Sequence, residues 1–169
     1  MNNIKLWQII GAVFTLISGT LLHFVYGWFD GDVWALFGSV NESVWEHQKL
    51  VFWPMTFFMV AEFIFYGRHK EGFVPIKVNS ILLAMFINIS LFYLYSGILG
   101  RHIFVVDILL YIIAIVAAYR FAYKNLRWTS EFYMVDFIAA CEFGVLIGLC
   151  VLIVIFTFDP PQIGIFMVE

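Results

Sequence analysis

Five long apolar runs constrain this chain more than any other feature of its sequence. They extend over about residues 6–29, 50–66, 78–99, 102–119 and 132–158. A helix of roughly 17–25 apolar residues can cross the hydrocarbon core of a bilayer. Only 12% of the residues are charged, against about 25% in soluble domains. We therefore predict an all-α polytopic membrane bundle with five transmembrane helices, in a single membrane-embedded domain over residues 1–169.

The basic residues predict how this bundle is oriented. With five crossings, Lys49 and Arg101 fall on one side of the membrane, and the other Lys and Arg residues all fall on the opposite side. The positive-inside rule then places the N-terminus inside and the C-terminus outside, as in a multi-pass protein of the cell membrane. Membrane lipids are the expected surroundings. No basic stripe with interleaved aromatic residues is present, so we expect no nucleic-acid partner.

The stretch between the first two runs, residues 39–49, carries far more polarity than its surroundings. Its sequence is Ser-Val-Asn-Glu-Ser-Val-Trp-Glu-His-Gln-Lys. Ser39 and Glu42 have the spacing of a capping box, so we predict a helix that begins near Val40. Glu42 and Glu46 would then share one helical face. Two carboxylates on one face can hold a cation or share a proton.

The five-helix topology predicts that several polar residues converge at the outer end of the bundle. His23, His47 and Asp107 are the expected metal ligands, because imidazole and carboxylate donors suit zinc or another divalent ion. Glu42 and Glu46 are the predicted catalytic residues. The predicted ligand-binding residues are Asn41, Trp45, Lys49 and Glu142.

Simpler interpretations of the same residues also remain open. Glu42 could only cap its helix, and Glu46 with Lys49 could form a solvated i,i+3 pair. His23 could simply hydrogen-bond a backbone carbonyl. Glu62 lies near the end of the second run, where we expect its side chain to reach water.

The fifth run contains an acid and a pattern of small residues. Glu142 lies near the middle of the bilayer in this reading, where an ionised acid costs at least about 2.5 kcal/mol. It is therefore either protonated or paired, and Asn88 at a similar depth is the expected partner. Ala140, Gly144 and Gly148 recur at four-residue spacing, which predicts a close helix contact and a possible helix-mediated oligomer.

Three segments of the chain resemble a known but uncharacterised family. They are residues 22–28, 40–49 and 158–166, and the second contains the motif Asn-Glu-Ser-x-Trp-Glu-His. The family consists of small bacterial integral membrane proteins and is catalogued as a domain of unknown function. The resemblance implies a compact multi-helix membrane protein and carries no activity with it.

Three functions follow from these patterns, and the sequence does not decide among them. The first is a membrane-embedded metal-dependent hydrolase of a lipid or another amphiphile at the outer leaflet. The second is a small-molecule or ion-binding transporter subunit that uses the carboxylate of Glu142. The third is a structural or partner-binding membrane protein, in which the polar groups only hold the helices together.

Overall fold

A computed structural model describes residues 2–128 and 135–167 of the chain, and their regular structure is helical throughout. The α-helices are α1 (Asn2–Phe29), α2 (Asp32–Phe37), α3 (Val44–Phe65), α4 (Phe73–Leu99), α5 (Phe104–Trp128) and α6 (Val135–Phe158). Short 3₁₀ turns lie at Gly67–His69 and Gly164–Phe166. Five of the helices, all except α2, are long and apolar enough to cross a membrane. The prediction of an all-α bundle with five such helices is confirmed.

Several helix boundaries differ from the predicted ones. The polar segment after the fourth run continues α5 to Trp128, because the Arg and Lys residues there are good helix formers. α4 begins at Phe73, five residues before the predicted start, after Gly72 turns the chain in the left-handed region at φ 67°. Pro75 is tolerated in the first turn of α4, where no intrahelical donor is needed.

The helices pack as a four-helix core with α6 on its outside. α1 packs against α3 and α5, and α4 packs against α3, α5 and α6. Buried apolar side chains such as Phe52, Ile81 and Ile115 fill the centre. α1 comes closest to its neighbours at Gly19, where an added methyl group would overlap the Tyr111 hydroxyl and the Leu50 carbonyl. Small residues on α1 therefore set its distance from α3 and α5.

The bundle has two ends, which we name after one residue at each. The His23 end holds the last turns of α1 and α6 and the first turn of α3, since His23 contacts His47 and Thr157 contacts Lys49. The Lys77 end holds the first turns of α1 and α4 and the last turn of α3, since Lys77 contacts Gln8 and Glu62. The long helices thus alternate in direction along the chain.

A buried ion pair joins three helices at the Lys77 end. The ammonium of Lys77 lies 2.5 Å from the carboxylate of Glu62, and both side chains are inaccessible to solvent. Gln8 of α1 donates to Glu62 and accepts from Lys77 at 3.1 Å. The Lys77 ammonium also lies over the ring of Tyr119 on α5. The expectation that Glu62 reaches water is therefore wrong, because the first turn of α4 covers this side of α3 with a counter-ion.

Tyr66 provides a further hydrogen bond to this buried carboxylate. Its hydroxyl donates to Glu62 at 2.7 Å. Burial, reinforced by the adjacent charge of Glu62, raises the pKa of the Tyr66 hydroxyl well above its usual value. The phenol consequently stays protonated and remains a donor.

The small residues of α6 lie on an open face of the helix. Ala140 is exposed, and no other side chain or neighbouring helix in the described part of the chain comes within 4 Å of a methyl group added at Gly144 or Gly148. The close contact predicted for this pattern is thus not made within the described residues. A contact with a second copy of the chain stays a prediction.

We expect Lys77→Met to lower the free energy of unfolding by about 3–5 kcal/mol, because it leaves the Glu62 carboxylate buried without its counter-ion. Lys124→Met, on the exposed side of α5, is the matched control and should change stability by less than about 0.5 kcal/mol. Chemical unfolding in detergent micelles, followed by circular dichroism, measures both. Equal stability of the parent and Lys77→Met would contradict a role for the pair in holding the bundle together.

Candidate metal centre

The loop between α2 and α3 is folded by its own polar side chains. Asn41 accepts the Ser43 backbone N–H at 2.8 Å, which forms a tight turn before the helix. Ser43 is the N-cap of α3, and its hydroxyl accepts the Glu46 N–H at 3.4 Å. The predicted capping box at Ser39 and Glu42 is therefore wrong by four residues. The Asn41 turn keeps this segment out of the helix and frees Glu42 for another contact.

Three side chains meet beside this loop at the His23 end. His23 comes from the last third of α1, Glu42 from the loop, and His47 from the first turn of α3. One potential ligand atom from each residue lies within 4.8 Å of the other two. Glu42 lies 3.8 Å from His23 Nε2 through one carboxylate oxygen and 3.4 Å from His47 Nε2 through the other.

The second nitrogen of each imidazole is held by a hydrogen-bond partner. His47 Nδ1 lies 2.8 Å from the Ser43 carbonyl oxygen. A carbonyl can only accept, so Nδ1 carries the proton and the Nε2 of the neutral ring has its lone pair free. Ser39 Oγ lies 3.1 Å from His23 Nδ1 and 3.4 Å from the His23 carbonyl oxygen. A hydroxyl that donates to this carbonyl and accepts from Nδ1 leaves His23 Nε2 free as well.

A tetrahedral ion needs its donor atoms closer together than they lie here. Donor atoms bound about 2.0 Å from tetrahedral zinc lie about 3.3 Å from each other. The three donor atoms lie within 4.8 Å of one another, and the distances of 3.4 Å and 3.8 Å involve different oxygens of Glu42, so the side chains have to move closer together to hold an ion. Two histidines and one glutamate are the ligand set of several catalytic zinc sites, which leave a fourth position for water. The side chain of Glu42 is 67% exposed, so water can reach this group.

Glu46 and Lys49 form a buried pair next to this group and are not part of it. Their charged atoms lie 2.5 Å apart, and the side chains are 4% and 0% exposed. The i,i+3 pairing was one of the simpler interpretations, but the pair is buried rather than solvated. The catalytic role predicted for Glu46 and the ligand-binding role predicted for Lys49 stay predictions, now for two buried side chains.

Asp107 lies in a different cluster and does not join His23. Its carboxylate accepts a hydrogen bond from the Tyr95 hydroxyl, and it lies 3.3 Å from His102 Nδ1. Tyr95 also accepts the Ile103 N–H at 2.9 Å. These contacts organise the connection between α4 and α5. The helix α5 packs against α1, but its first turn directs Asp107 toward α4 instead.

The remaining predicted ligand-binding residues are spread over the molecule. Trp45 packs against Phe156 of α6 and Phe166 of the tail, with ring centroids 5.5 Å and 5.1 Å away. Glu142 is half-buried and accepts a hydrogen bond from Asn79 of α4 at 2.8 Å. The prediction of Asn88 as the partner is therefore wrong by about two and a half helical turns. Asn41 shapes the loop, as described above.

Two features of this site differ from the sequence prediction. Glu42 was predicted to act in catalysis or capping, whereas its carboxylate lies between the two histidines. Ser39 was predicted only as a cap, whereas its hydroxyl contacts His23. One signal was available, because Ser43 and Glu46 have the same capping-box spacing as Ser39 and Glu42. A helix capped by Ser43 instead of Ser39 leaves the Glu42 side chain free to contact other residues.

The chain belongs to DUF6512, a family of unknown function whose model matches residues 1–169. The expected membership of an uncharacterised family is thereby confirmed. The bacterial source and the specificity of the Asn-Glu-Ser-x-Trp-Glu-His motif stay predictions. No curated protein matches the chain. No solved structure matches it either.

Ser43→Ala should reduce hydrogen-exchange protection of the Glu46 amide about fivefold, because loss of an N-cap costs about 1 kcal/mol. Ser39→Ala should leave the exchange rate of this amide unchanged, since Ser39 hydrogen-bonds to His23 of α1 and not to the first turn of α3. Exchange measured by mass spectrometry in detergent compares the two variants. Loss of protection at the Glu42 amide in Ser39→Ala, with the Glu46 amide unchanged in Ser43→Ala, would restore the predicted capping box.

Proposed function

We propose that this protein is a membrane-embedded, metal-dependent hydrolase that acts on a lipid or another amphiphile. The convergence of His23, Glu42 and His47 carries the proposal. These residues come from three separate parts of the chain, and capping or helix packing does not require two imidazoles to face one carboxylate. The ligand types favour zinc or a similar divalent ion.

The donor set determines which chemistry such a site supports. A divalent ion held by His23, Glu42 and His47 would supply a water of lowered pKa at neutral pH. Ester hydrolysis would consume one water, whose oxygen would bond to the acyl carbon as the ester C–O bond breaks, and one of whose protons would pass to the departing alcohol. Glu42 and the two histidines act as ligands in this proposal, and Glu46 takes no part in proton transfer.

An exposed apolar surface next to the site favours an amphiphilic substrate. Ile17, Leu21, Phe24 and Trp28 are each about half exposed and recur at helical spacing on α1. Phe24 contacts the ring of His23 edge-on, with centroids 5.0 Å apart. In a membrane this face of α1 contacts acyl chains. A lipid whose acyl chain lies along this face of α1 would have its head group near His23.

The same proposal gives a location for the site. If the five helices cross the cell membrane with the N-terminus inside, the His23 end lies at the outer surface. Trp28, Phe29 and Trp34 are exposed around this end, as expected for an interfacial aromatic belt. The site then lies at the level of the lipid head groups, where ester and phosphoester bonds are found.

The parent protein, purified without chelator and titrated with zinc, should bind one ion per chain. His23→Ala, Glu42→Gln and His47→Ala should each lower the affinity at least tenfold, because each removes a ligand. His102→Ala is the matched control, since His102 lies in the Asp107 cluster. This variant should bind zinc with the affinity of the parent. Elemental analysis and zinc titration in detergent give stoichiometry and affinity.

Hydrolysis is tested separately with vesicles of glycerophospholipid. Release of fatty acid or head group by the zinc-loaded parent, lost in Glu42→Gln, would support the hydrolase. A parent that binds no zinc at micromolar concentration would overturn the metal site. Transport or binding of a ligand would then be the function to examine next.

A further inference from the structure

We infer that Glu46 and Lys49 are positioning residues, which hold the loop that carries Glu42 in the geometry needed for metal binding. This inference rests on the proposed metal centre. It assigns to the buried pair a role that differs from both catalysis and ligand binding.

The first contact is between Glu46 and the loop itself. One carboxylate oxygen of Glu46 accepts the backbone N–H of Val40 at 2.7 Å. Val40 lies between Ser39, which orients His23, and Glu42, which faces both histidines. Ser43, immediately after Glu42, is fixed as the N-cap of α3. Glu42 therefore lies on a short segment that is anchored on both sides.

The second contact fixes Glu46. The ammonium of Lys49 lies 2.5 Å from the same carboxylate oxygen that accepts from Val40. It also donates to the Ala35 carbonyl at 2.7 Å and to the Thr157 hydroxyl at 3.1 Å. All three ammonium donors thus have acceptors, one each from α2, α3 and α6. The anchor of the loop is consequently tied to three helices.

An anchored loop matters here because Glu42 itself is exposed. An exposed carboxylate on a mobile loop has to lose conformational freedom when it binds an ion, and this lowers the affinity. A loop that is already held in place loses less conformational freedom when the ion binds. Partners that orient metal ligands without touching the metal typically contribute 10–100-fold in affinity. The Glu46–Lys49 pair fulfils this description for the Glu42 segment.

Glu46→Gln is the direct test, and the chain supplies a matched control. Glu62 is also a buried glutamate 2.5 Å from a lysine, but at the opposite end of the bundle. We expect Glu46→Gln to weaken zinc binding about 10–100-fold and to change the visible spectrum of bound cobalt. Glu62→Gln should destabilise the protein and leave both the affinity and the spectrum unchanged. A general loss of stability would affect the two variants alike.

A second pair of variants keeps the test valid if Glu46→Gln fails to fold. Thr157→Val removes one acceptor of Lys49 without changing any charge, and Thr157→Ser retains the hydroxyl. We expect a severalfold loss of zinc affinity in Thr157→Val and parent-like affinity in Thr157→Ser. Thr157 lies on α6, where its hydroxyl hydrogen-bonds the Lys49 ammonium and the Ile153 carbonyl.

The outcomes separate this inference from the function on which it rests. If the parent binds no zinc, the metal centre itself is wrong. If the parent binds zinc and both Glu46→Gln and Thr157→Val bind it with parent affinity, the metal centre stands and the positioning role is overturned. Weaker binding in Glu46→Gln with an unchanged Glu62→Gln control supports the positioning role.

Discussion

The pairing of buried charges is the constraint on which the rest of this structure depends. An ion in an apolar interior is tolerated only with a counter-ion and further hydrogen bonds. Two glutamate–lysine pairs meet this requirement, each with its charged atoms 2.5 Å apart, at opposite ends of the bundle. Glu62 and Lys77 join α3 to α4 and, through Gln8, to α1. Glu46 and Lys49 lie within α3 and connect it to α2 and α6.

The two pairs differ in what their remaining hydrogen bonds hold. At the Lys77 end, the additional partners are the side chains of Gln8 on α1 and of Tyr66, the C-cap of α3. At the His23 end, Glu46 instead accepts from the backbone of Val40 in a loop. One pair thus fixes helices to each other, and the other fixes a loop to the helices. At the His23 end, the loop that is fixed in this way is the one that carries Glu42.

The sequence predicted the number and approximate extent of the long helices, because apolar runs of bilayer length leave few alternatives. It also located the polar stretch over residues 39–49 and named His23 and His47, two of the three residues that the structure brings together. Their role as metal ligands stays a prediction. The sequence failed where two arrangements had the same local pattern. Ser39 with Glu42 and Ser43 with Glu46 have equal capping-box spacing. The choice between them depends on the Asn41 turn and on the partners that Glu46 finds outside its own helix.

The sequence by itself determined that this chain forms apolar helices and that its few charges need partners. Only the tertiary structure decided which partners they take. Glu62 is 15 residues from Lys77 in sequence and Lys49 is 108 from Thr157, so these contacts depend on how the helices pack and not on local spacing. The same holds for Asp107. The five-helix topology allowed it to face His23, but packing places it against Tyr95 of the adjacent helix. Helix formation is local and can be predicted from hydropathy, whereas the pairing of charges is set by the side chains that packing brings together.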